Sequence, residues 1–158
     1  MEAYLIATAC TKFEKKADQT FKSLTEEVYC DLLKSAKVEK GNMIGQAWFG
    51  NCGMGTFGQN NIRGQVCFTP LVQKKLFPER VGIINVEGGC ATGSMAFHGA
   101  WKDIISGTEY VSLAIGVEKI YQPNQPEKIQ EIYDGGIDQV DRSEWLDFYK
   151  SIGDELGK

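Results

Sequence analysis

The sequence predicts an α/β fold with a mostly parallel sheet, and two observations support that prediction. Segments with strand-like and helix-like patterns alternate along the first 120 residues, in the order strand, helix, strand, helix, strand, helix, strand. The last strand, predicted over 110–117, is almost continuously apolar, which is typical of a strand covered on both faces. In open sheets of this class, ligands usually bind at the carboxyl ends of the strands.

Each predicted element has its own local signal. A capping box, with Ser23 as N-cap and Glu26 three residues later, predicts the start of the first helix. Pro70 is expected to kink or restart the helix predicted over 60–77, because proline lacks an N–H and disfavours helix just before it. The strands are predicted from short apolar or β-branched runs. They cover residues 4–10, 43–49, 81–86 and 110–117.

Composition and charge exclude several classes of function. The chain has 158 residues, enough for one domain with a core, and its net charge of −4 argues against a nucleic-acid surface. No apolar run approaches the roughly 18 residues that a transmembrane helix needs. The N-terminus has no basic region before its short apolar run, so no signal peptide is expected. Neither a nucleic acid nor a membrane is therefore expected as a partner.

The cysteine and histidine content argues against a disulfide framework or a metal site. Five widely spaced cysteines are an odd number and include no C-x-x-C pair. A single histidine excludes a multi-histidine metal site within this chain. Free thiols suit a reducing compartment, so the expected location is the cytoplasm.

Cys90 lies where the sequence predicts the junction between a strand and a helix. A glycine pair, Gly88-Gly89, separates it from the β-branched run 81–86, and apolar residues recur at helical spacing after it. A helix N-terminus offers unpaired backbone N–H groups and a partial positive charge, and both favour a thiolate over a thiol. Cys90 is therefore the candidate nucleophile. The alternative is a small, inert packing residue, because free cysteines are commonly buried.

The segment 84–120 resembles the thiolase family. It is most similar to the branch that includes sterol-carrier-protein thiolases and archaeal acyl-CoA thiolases. The similarity extends upstream through 55–63 to the N-terminal strand, and it becomes loose after Tyr121. The matching parts are the turn Gly89-Cys90-Ala91-Thr92-Gly93-Ser94, the small-residue helix after it, Gly107, and the strand that ends Gly116-Val117-Glu118-Lys119. Glu118 matches the family strand without an assigned catalytic role.

The resemblance implies a layered thiolase-like fold, in which this chain would be the N-terminal half of an αβαβα arrangement. It also implies acyl transfer, in which Cys90 takes an acyl group from acyl-CoA or attacks a 3-oxoacyl-CoA, in thiolytic cleavage or Claisen condensation. Backbone N–H groups of the Gly89-Cys90 turn, first that of Cys90, would stabilise the oxyanion. Coenzyme A or acyl-CoA is then a substrate, and no tightly bound cofactor or metal is expected.

A complete thiolase is about double this length, and its second half supplies the activating histidine and a further acid/base residue. His98 cannot replace that histidine. It lies eight residues past Cys90 on the same helix, about 12 Å along the axis, whereas a base must reach within roughly 3 Å. The 158-residue chain alone is therefore expected to be inactive. It is interpreted as a fragment, ahead of a split subunit or an inactive module, because strand 110–117 would leave an edge that needs cover.

The predicted domain organisation divides the chain near residue 120. Residues 1–120 form the α/β domain that carries the nucleophile, and 121–158 form the start of a loop or lid region. Pro123 and Pro126 open this polar, acidic stretch, which contains a helical segment near 143–149. In thiolases a loop domain that covers the active site begins at this point. The alternative is a surface appendage.

A rival signal lies in the glycine-rich segment after the second strand. Gly53, Gly55 and Gly58 satisfy G-x-G-x-x-G, the fingerprint of dinucleotide-binding oxidoreductases. The ribose-binding acid should end the next strand, but Glu79, at about the right spacing, precedes strand 81–86. A turn that lets backbones pack closely is therefore the favoured interpretation.

Two partners are expected from the resemblance alone. Thiolases pair through the strand that precedes the nucleophile, which predicts a homodimer through 81–87. Some members of the branch work with a small zinc-ribbon/OB-fold protein. A non-catalytic thiolase-like binding or assembly module acting with such a partner subunit is the alternative to an acyltransferase.

Overall fold

A three-stranded parallel sheet lies at the centre of the fold. The structure is a computed structural model that describes residues 2–157. Strand β1 (Gln46–Gly50) lies between β2 (Gly82–Val86) and β3 (Ser112–Gly116), and it runs parallel to both. The α/β class and the parallel sheet predicted from the sequence are therefore confirmed.

The described residues form five helices and two short 3₁₀ turns. Helix α3 packs against β3 and β1, while α1 packs against α2. The turns, Gly53–Phe57 and Gly89–Ala91, follow β1 and β2 respectively. The helices are α1 (Phe21–Ser35), α2 (Arg63–Gln73), α3 (Thr92–Ser106), α4 (Lys128–Asp134) and α5 (Arg142–Glu155).

An aromatic cluster forms the centre of the core. Phe68 of α2 packs edge-on against Phe77, with ring centroids 4.5 Å apart, and also against Phe49 of β1 and Tyr29 of α1. All four side chains are almost completely buried. Edge-to-face pairs of this kind add about 0.5–1.5 kcal/mol each beyond the buried area. The cluster therefore fixes the two helices to the sheet.

The prediction of a buried strand over 4–10 is wrong. The segment is extended without strand pairing, and Tyr4, Leu5 and Ile6 are each about two-thirds or more exposed. A strand needs a partner for its backbone N–H and C=O groups. Within residues 2–157 none pairs with this segment. Instead it borders a cavity of about 470 Å³ whose other walls are α1, α3 and β3.

Two helix boundaries also differ from the prediction. Helix α1 is capped by Thr20, not Ser23. The Thr20 hydroxyl accepts from the Ser23 N–H at 3.1 Å, and the Ser23 hydroxyl accepts from the Thr20 N–H at 2.8 Å. Serine at the third helical position thus completes the capping box that glutamate usually completes. Helix α2 runs continuously past Pro70, so of the two outcomes predicted there, a kink or a restart, the restart is wrong.

The edges of the sheet are open in the described residues. Strand β3 pairs with β1 on one side only, and β2 likewise. The sequence predicted that strand 110–117 would have an edge in need of cover, and the free edge of β3 is that edge. Helix α3 is also incompletely covered, since Phe97 is 56% exposed and Trp101 is 43% exposed.

Candidate active site

The carboxyl ends of the three strands meet at one edge of the sheet. Gly50 is paired with Val86 on one side and with Gly116 on the other, so the loops that follow lie side by side. Asn51, which is buried, joins two of these loops. Its side-chain amide donates to the Val117 carbonyl at 2.7 Å. The sequence therefore brings three loops together at the edge where α/β sheets bind ligands.

Cys90 lies in one of these loops, at the start of α3. The turn Gly89–Ala91 leads directly into Thr92, the first residue of the helix. Cys90 is exposed. Gly89 has φ +56°, a left-handed conformation that glycine adopts at little cost. The position predicted for Cys90 is observed, while its role as a nucleophile stays a prediction.

Thr92 joins the two ends of the Cys90 turn. Its hydroxyl donates to the Gly89 carbonyl at 2.7 Å and accepts from the Gly88 N–H at 2.9 Å. Thr92 is 7% exposed, so these polar contacts are shielded from water. The Thr92 hydroxyl therefore fixes the turn, a role that no sequence pattern predicted.

Glu118 lies beside the loop that follows β1. Its carboxylate accepts from the N–H groups of Cys52 and Gly53, the latter at 3.1 Å. Burial raises the pKa of Glu118, and these two hydrogen bonds and Arg63 oppose that rise. Arg63 also donates to the Asn51 carbonyl at 2.7 Å. No catalytic role was predicted for Glu118 from the sequence. In the structure its carboxylate holds the loop after β1 through these hydrogen bonds.

The same contacts argue against a dinucleotide site in the glycine-rich segment. The fingerprint needs free N–H groups facing a pyrophosphate at the start of a helix. Here a carboxylate occupies the N–H groups of Cys52 and Gly53. Helix α2 begins only at Arg63, five residues after Gly58. The segment is therefore a packing turn.

Cys52 lies at the same edge as Cys90 but in a different environment. Burial raises the pKa of the Cys52 thiol, and the negative charges of Glu87 and Glu118 raise it further. The Cys52 thiol is therefore harder to ionise than an ordinary cysteine thiol, whereas Cys90 is exposed just before helix α3.

Comparison with known proteins gives the family. The family model described as "Thiolase, N-terminal domain" matches residues 3–143, which includes all three strands, the Cys90 turn and helix α4. The chain belongs to the thiolase family. The thiolase-like fold expected from the sequence is therefore confirmed.

Two curated relatives are similar to this thiolase chain. One is the "Benzoylsuccinyl-CoA thiolase subunit BbsB" of Thauera aromatica, with 31% identity over 117 residues, 74% of this chain. The other is the "Acetyl-CoA acetyltransferase" of Methanocaldococcus jannaschii, with 30% identity over 117 residues, 73% of this chain. The match covers 28% of each relative, so the chain spans well under half of their length.

The single histidine of this thiolase chain is placed as the sequence predicted. His98 is exposed on α3, where its ring stacks on Trp101 with centroids 5.4 Å apart and an interplanar angle of 14°. A stack between residues three apart is a local helix contact. His98 therefore lies on the helix surface and away from the turn that presents Cys90.

Within residues 2–157, no helix is both long enough and apolar enough to span a bilayer.

Proposed function

We propose that this chain is the nucleophile-bearing part of a thiolase-type acyl-CoA acyltransferase, with Cys90 forming the acyl-enzyme. The observation that supports this most directly is the Cys90 turn. Cys90 has an exposed thiol and, within residues 2–157, a backbone N–H without an acceptor, at the positive end of α3. A nucleophile and an oxyanion donor are the two groups that attack on a thioester requires.

The proposed chemistry begins with attack by the Cys90 thiolate on the carbonyl carbon of a thioester. A carbon–sulfur bond forms, and the carbonyl electron pair becomes an oxyanion that accepts from the Cys90 N–H. When the tetrahedral intermediate collapses, coenzyme A leaves with the electron pair of its own carbon–sulfur bond. With a 3-oxoacyl-CoA, the thiolate adds instead to the 3-keto carbon, the bond between C2 and C3 breaks to leave the acyl group on Cys90, and the departing acyl-CoA carbanion takes a proton. Coenzyme A is thus substrate or product, and no resident cofactor is part of the scheme.

The base that removes the thiol proton is proposed to come from a part of the enzyme beyond these 158 residues. The relatives are much longer than the matched region, which is 28% of each. The unpaired edge of β3, the cavity beside it and the exposed side chains of Phe97 and Trp101 offer surfaces for that part to cover. We favour a continuation of the same polypeptide over a separate subunit or an inactive module.

Residues 121–158 are proposed to begin a lid over this site. Helix α4 contacts the turn Gly53–Phe57, which follows β1 at the ligand-binding edge of the sheet. The Ile132 side chain lies beside Gly53, where a Cβ would be 3.3 Å from its Cδ1. Helix α5 presents several exposed apolar side chains, among them Leu146 and Phe148. Because α4 reaches this edge of the sheet, residues 121–158 are proposed to contact the substrate.

The partners are also proposals. A homodimer through 81–87 would pair the free edge of β2, where Ile84 is 38% exposed. A zinc-ribbon/OB-fold protein is the second proposed partner, and the Thauera relative is itself named as a subunit. The free thiols of the chain suit the cytoplasm as the site of the reaction.

Peptide mass mapping after incubation with a panel of acyl-CoAs tests the proposed function. The complete protein is used, with Cys90→Ala as the variant and Cys10→Ala as the matched control, because Cys10 is also an exposed free thiol. A mass gain confined to the Cys90 peptide, lost in Cys90→Ala and kept in Cys10→Ala, is expected. The adduct mass also identifies the acyl group. Absence of an adduct from the folded, complete protein would contradict the covalent mechanism.

The alternative function is a non-catalytic thiolase-like module that binds acyl-CoA or assembles with a partner subunit. The 31% identity to a protein named as a thiolase subunit favours keeping this alternative. It predicts a stable complex or bound acyl-CoA without transfer of the acyl group to Cys90. The same mass mapping therefore separates the two functions.

A further inference from the structure

The turn that presents Cys90 contains a carboxylate contact that the proposed chemistry does not use. Glu87 is the first residue after β2, and its Oε1 accepts from the Gly89 N–H at 2.7 Å. Gly89 has φ +56°, and a Cβ added there would meet no atom within 4 Å. Glycine is therefore required for its backbone conformation and not for lack of space. The Glu87 contact stabilises that conformation from two residues upstream.

The backbone N–H groups of this turn have unequal partners. Gly88 donates to the Thr92 hydroxyl at 2.9 Å, Gly89 donates to Glu87, and Ala91 donates to the Gly88 carbonyl at 3.0 Å. Among the residues that the structure describes, no acceptor is present for the N–H of Cys90. Three of four neighbouring donors are thus occupied, and the fourth belongs to the candidate nucleophile.

We propose that Glu87 is a positioning residue of this site, which occupies the Gly89 N–H and thereby leaves the Cys90 N–H as the one free donor, held where the oxyanion forms. This inference rests on the proposed acyl transfer. Without Glu87, the Gly89 N–H would be a second free donor, and the left-handed turn would lose a hydrogen bond. The oxyanion would then face two less ordered donors, the N–H groups of Gly89 and Cys90, and the transition state for acylation would be less stabilised.

Glu87 also has an electrostatic effect that gives an independent readout. Its negative charge adds to burial in raising the pKa of the Cys52 thiol. Replacement by glutamine removes the charge and keeps an oxygen that can accept from Gly89. Replacement by alanine removes both. The two variants therefore separate the effect of the acceptor from the effect of the charge.

The test compares two reactions of Cys90 in the complete protein. Acylation by acetyl-CoA passes through an oxyanion, whereas alkylation by iodoacetamide does not. A positioning role therefore affects acylation selectively, while general disorder or changed access affects both. For Glu87→Ala we expect acylation to fall about tenfold, within the range for loss or displacement of oxyanion donors. Alkylation of Cys90 is expected to change by less than about threefold, the size of a modest change in thiolate fraction.

Glu87→Gln is expected to restore most of the acylation rate, because the acceptor is kept. In both variants, alkylation of Cys52 is expected to increase, because the neighbouring charge is lost. Glu79→Ala is the matched control, since Glu79 is an exposed carboxylate at the opposite end of β2. It is expected to change neither reaction.

Three results would overturn the positioning role. They are unchanged acylation in Glu87→Ala, an equal loss in Glu87→Ala and Glu87→Gln, and a parallel loss of acylation and alkylation. If wild-type protein forms no acyl adduct, the proposed function fails instead. The Glu87 contact is then tested by the amide NMR signal of Gly89. A shift that follows carboxylate titration in wild type and disappears in Glu87→Gln confirms the contact, and no such shift excludes it.

Discussion

The indole ring of Trp48 lies directly against the backbone of Gly99. A Cβ built on Gly99 would stand 2.7 Å or less from three atoms of that ring. The Trp48 Nε1 also donates to Asp103 Oδ2 at 2.7 Å, one helical turn further along α3. Strand β1 and helix α3 therefore approach each other at a point where only glycine fits. This contact sets the position of the helix that presents Cys90.

Gly99→Ala is expected to destabilise the protein by about 1–3 kcal/mol, as overpacking usually does. The ring cannot move away freely, because its Nε1 is held by Asp103. Gly93→Ala is the control on the same helix, since a Cβ there meets nothing within 4 Å. It is expected to be neutral or to stabilise by up to about 1 kcal/mol, through helix propensity. Urea unfolding measures both, and equal stability of the two variants would contradict the contact.

Thr92→Val is expected to lower both stability and acylation of Cys90. Valine keeps the shape of the side chain but leaves the Gly88 N–H and the Gly89 carbonyl without the Thr92 hydroxyl. Loss of a buried hydrogen-bonding partner costs about 1–3 kcal/mol. Thr92→Ser keeps the hydroxyl and is expected to retain most of the acylation rate. Unfolding and acetyl-CoA labelling measure the two effects. Equal labelling of the two variants would show that the hydroxyl does not order the turn.

The sheet and the Cys90 turn could be predicted because their signals are local. Short apolar runs predicted β1, β2 and β3, and the pair Gly88-Gly89 between a strand and a helix predicted the turn. The segment 4–10 has the same kind of signal, but it is unpaired in the described residues. A strand is defined by its neighbour as well as by its own residues. Its sequence alone therefore could not decide its structure.

The side chains that support the site could not be predicted in the same way. Glu118 reaches the N–H groups of Cys52 and Gly53, which are more than 60 residues away along the chain. That contact depends on the register of the three parallel strands. Thr92 stands within the family motif, yet only the structure shows that its hydroxyl bonds to the turn. Neither the register of distant strands nor the orientation of a hydroxyl group produces a periodic pattern in the sequence, so neither contact could be predicted from it.

The reactivity of the cysteines is expected to follow their environments. Burial is the first cause that raises the pKa of Cys30, Cys52 and Cys67, so each forms less thiolate near neutral pH. Cys10 and Cys90 are exposed and should be alkylated first. Because the reactive species is the thiolate, alkylation of the three shielded thiols should rise towards alkaline pH. Iodoacetamide labelling from pH 7 to 10, read by peptide mass mapping, measures the order. Faster labelling of Cys67 than of Cys90 would contradict the buried core.

Tyr29 is expected to limit stability at alkaline pH. Burial raises the pKa of its phenol well above the usual value, and its hydroxyl donates to the Leu76 carbonyl at 3.2 Å. The unfolded chain loses the phenolic proton near pH 10, before the folded state does. The free energy of unfolding should therefore be unaffected by this group below pH 10 and fall above it, by up to about 1.4 kcal/mol per pH unit.

Tyr29→Phe removes the ionisable group, so the decline above pH 10 should become shallower. It also loses the hydrogen bond to Leu76, which should cost about 0.5–1.5 kcal/mol at neutral pH. Tyr110→Phe is the matched control, because Tyr110 is 97% exposed. Because its side chain lies almost entirely in water, its removal should leave the dependence of stability on pH unchanged. Urea unfolding at intervals from pH 7 to 11 makes the comparison, and an equal decline in Tyr29→Phe and wild type would exclude Tyr29 as its cause.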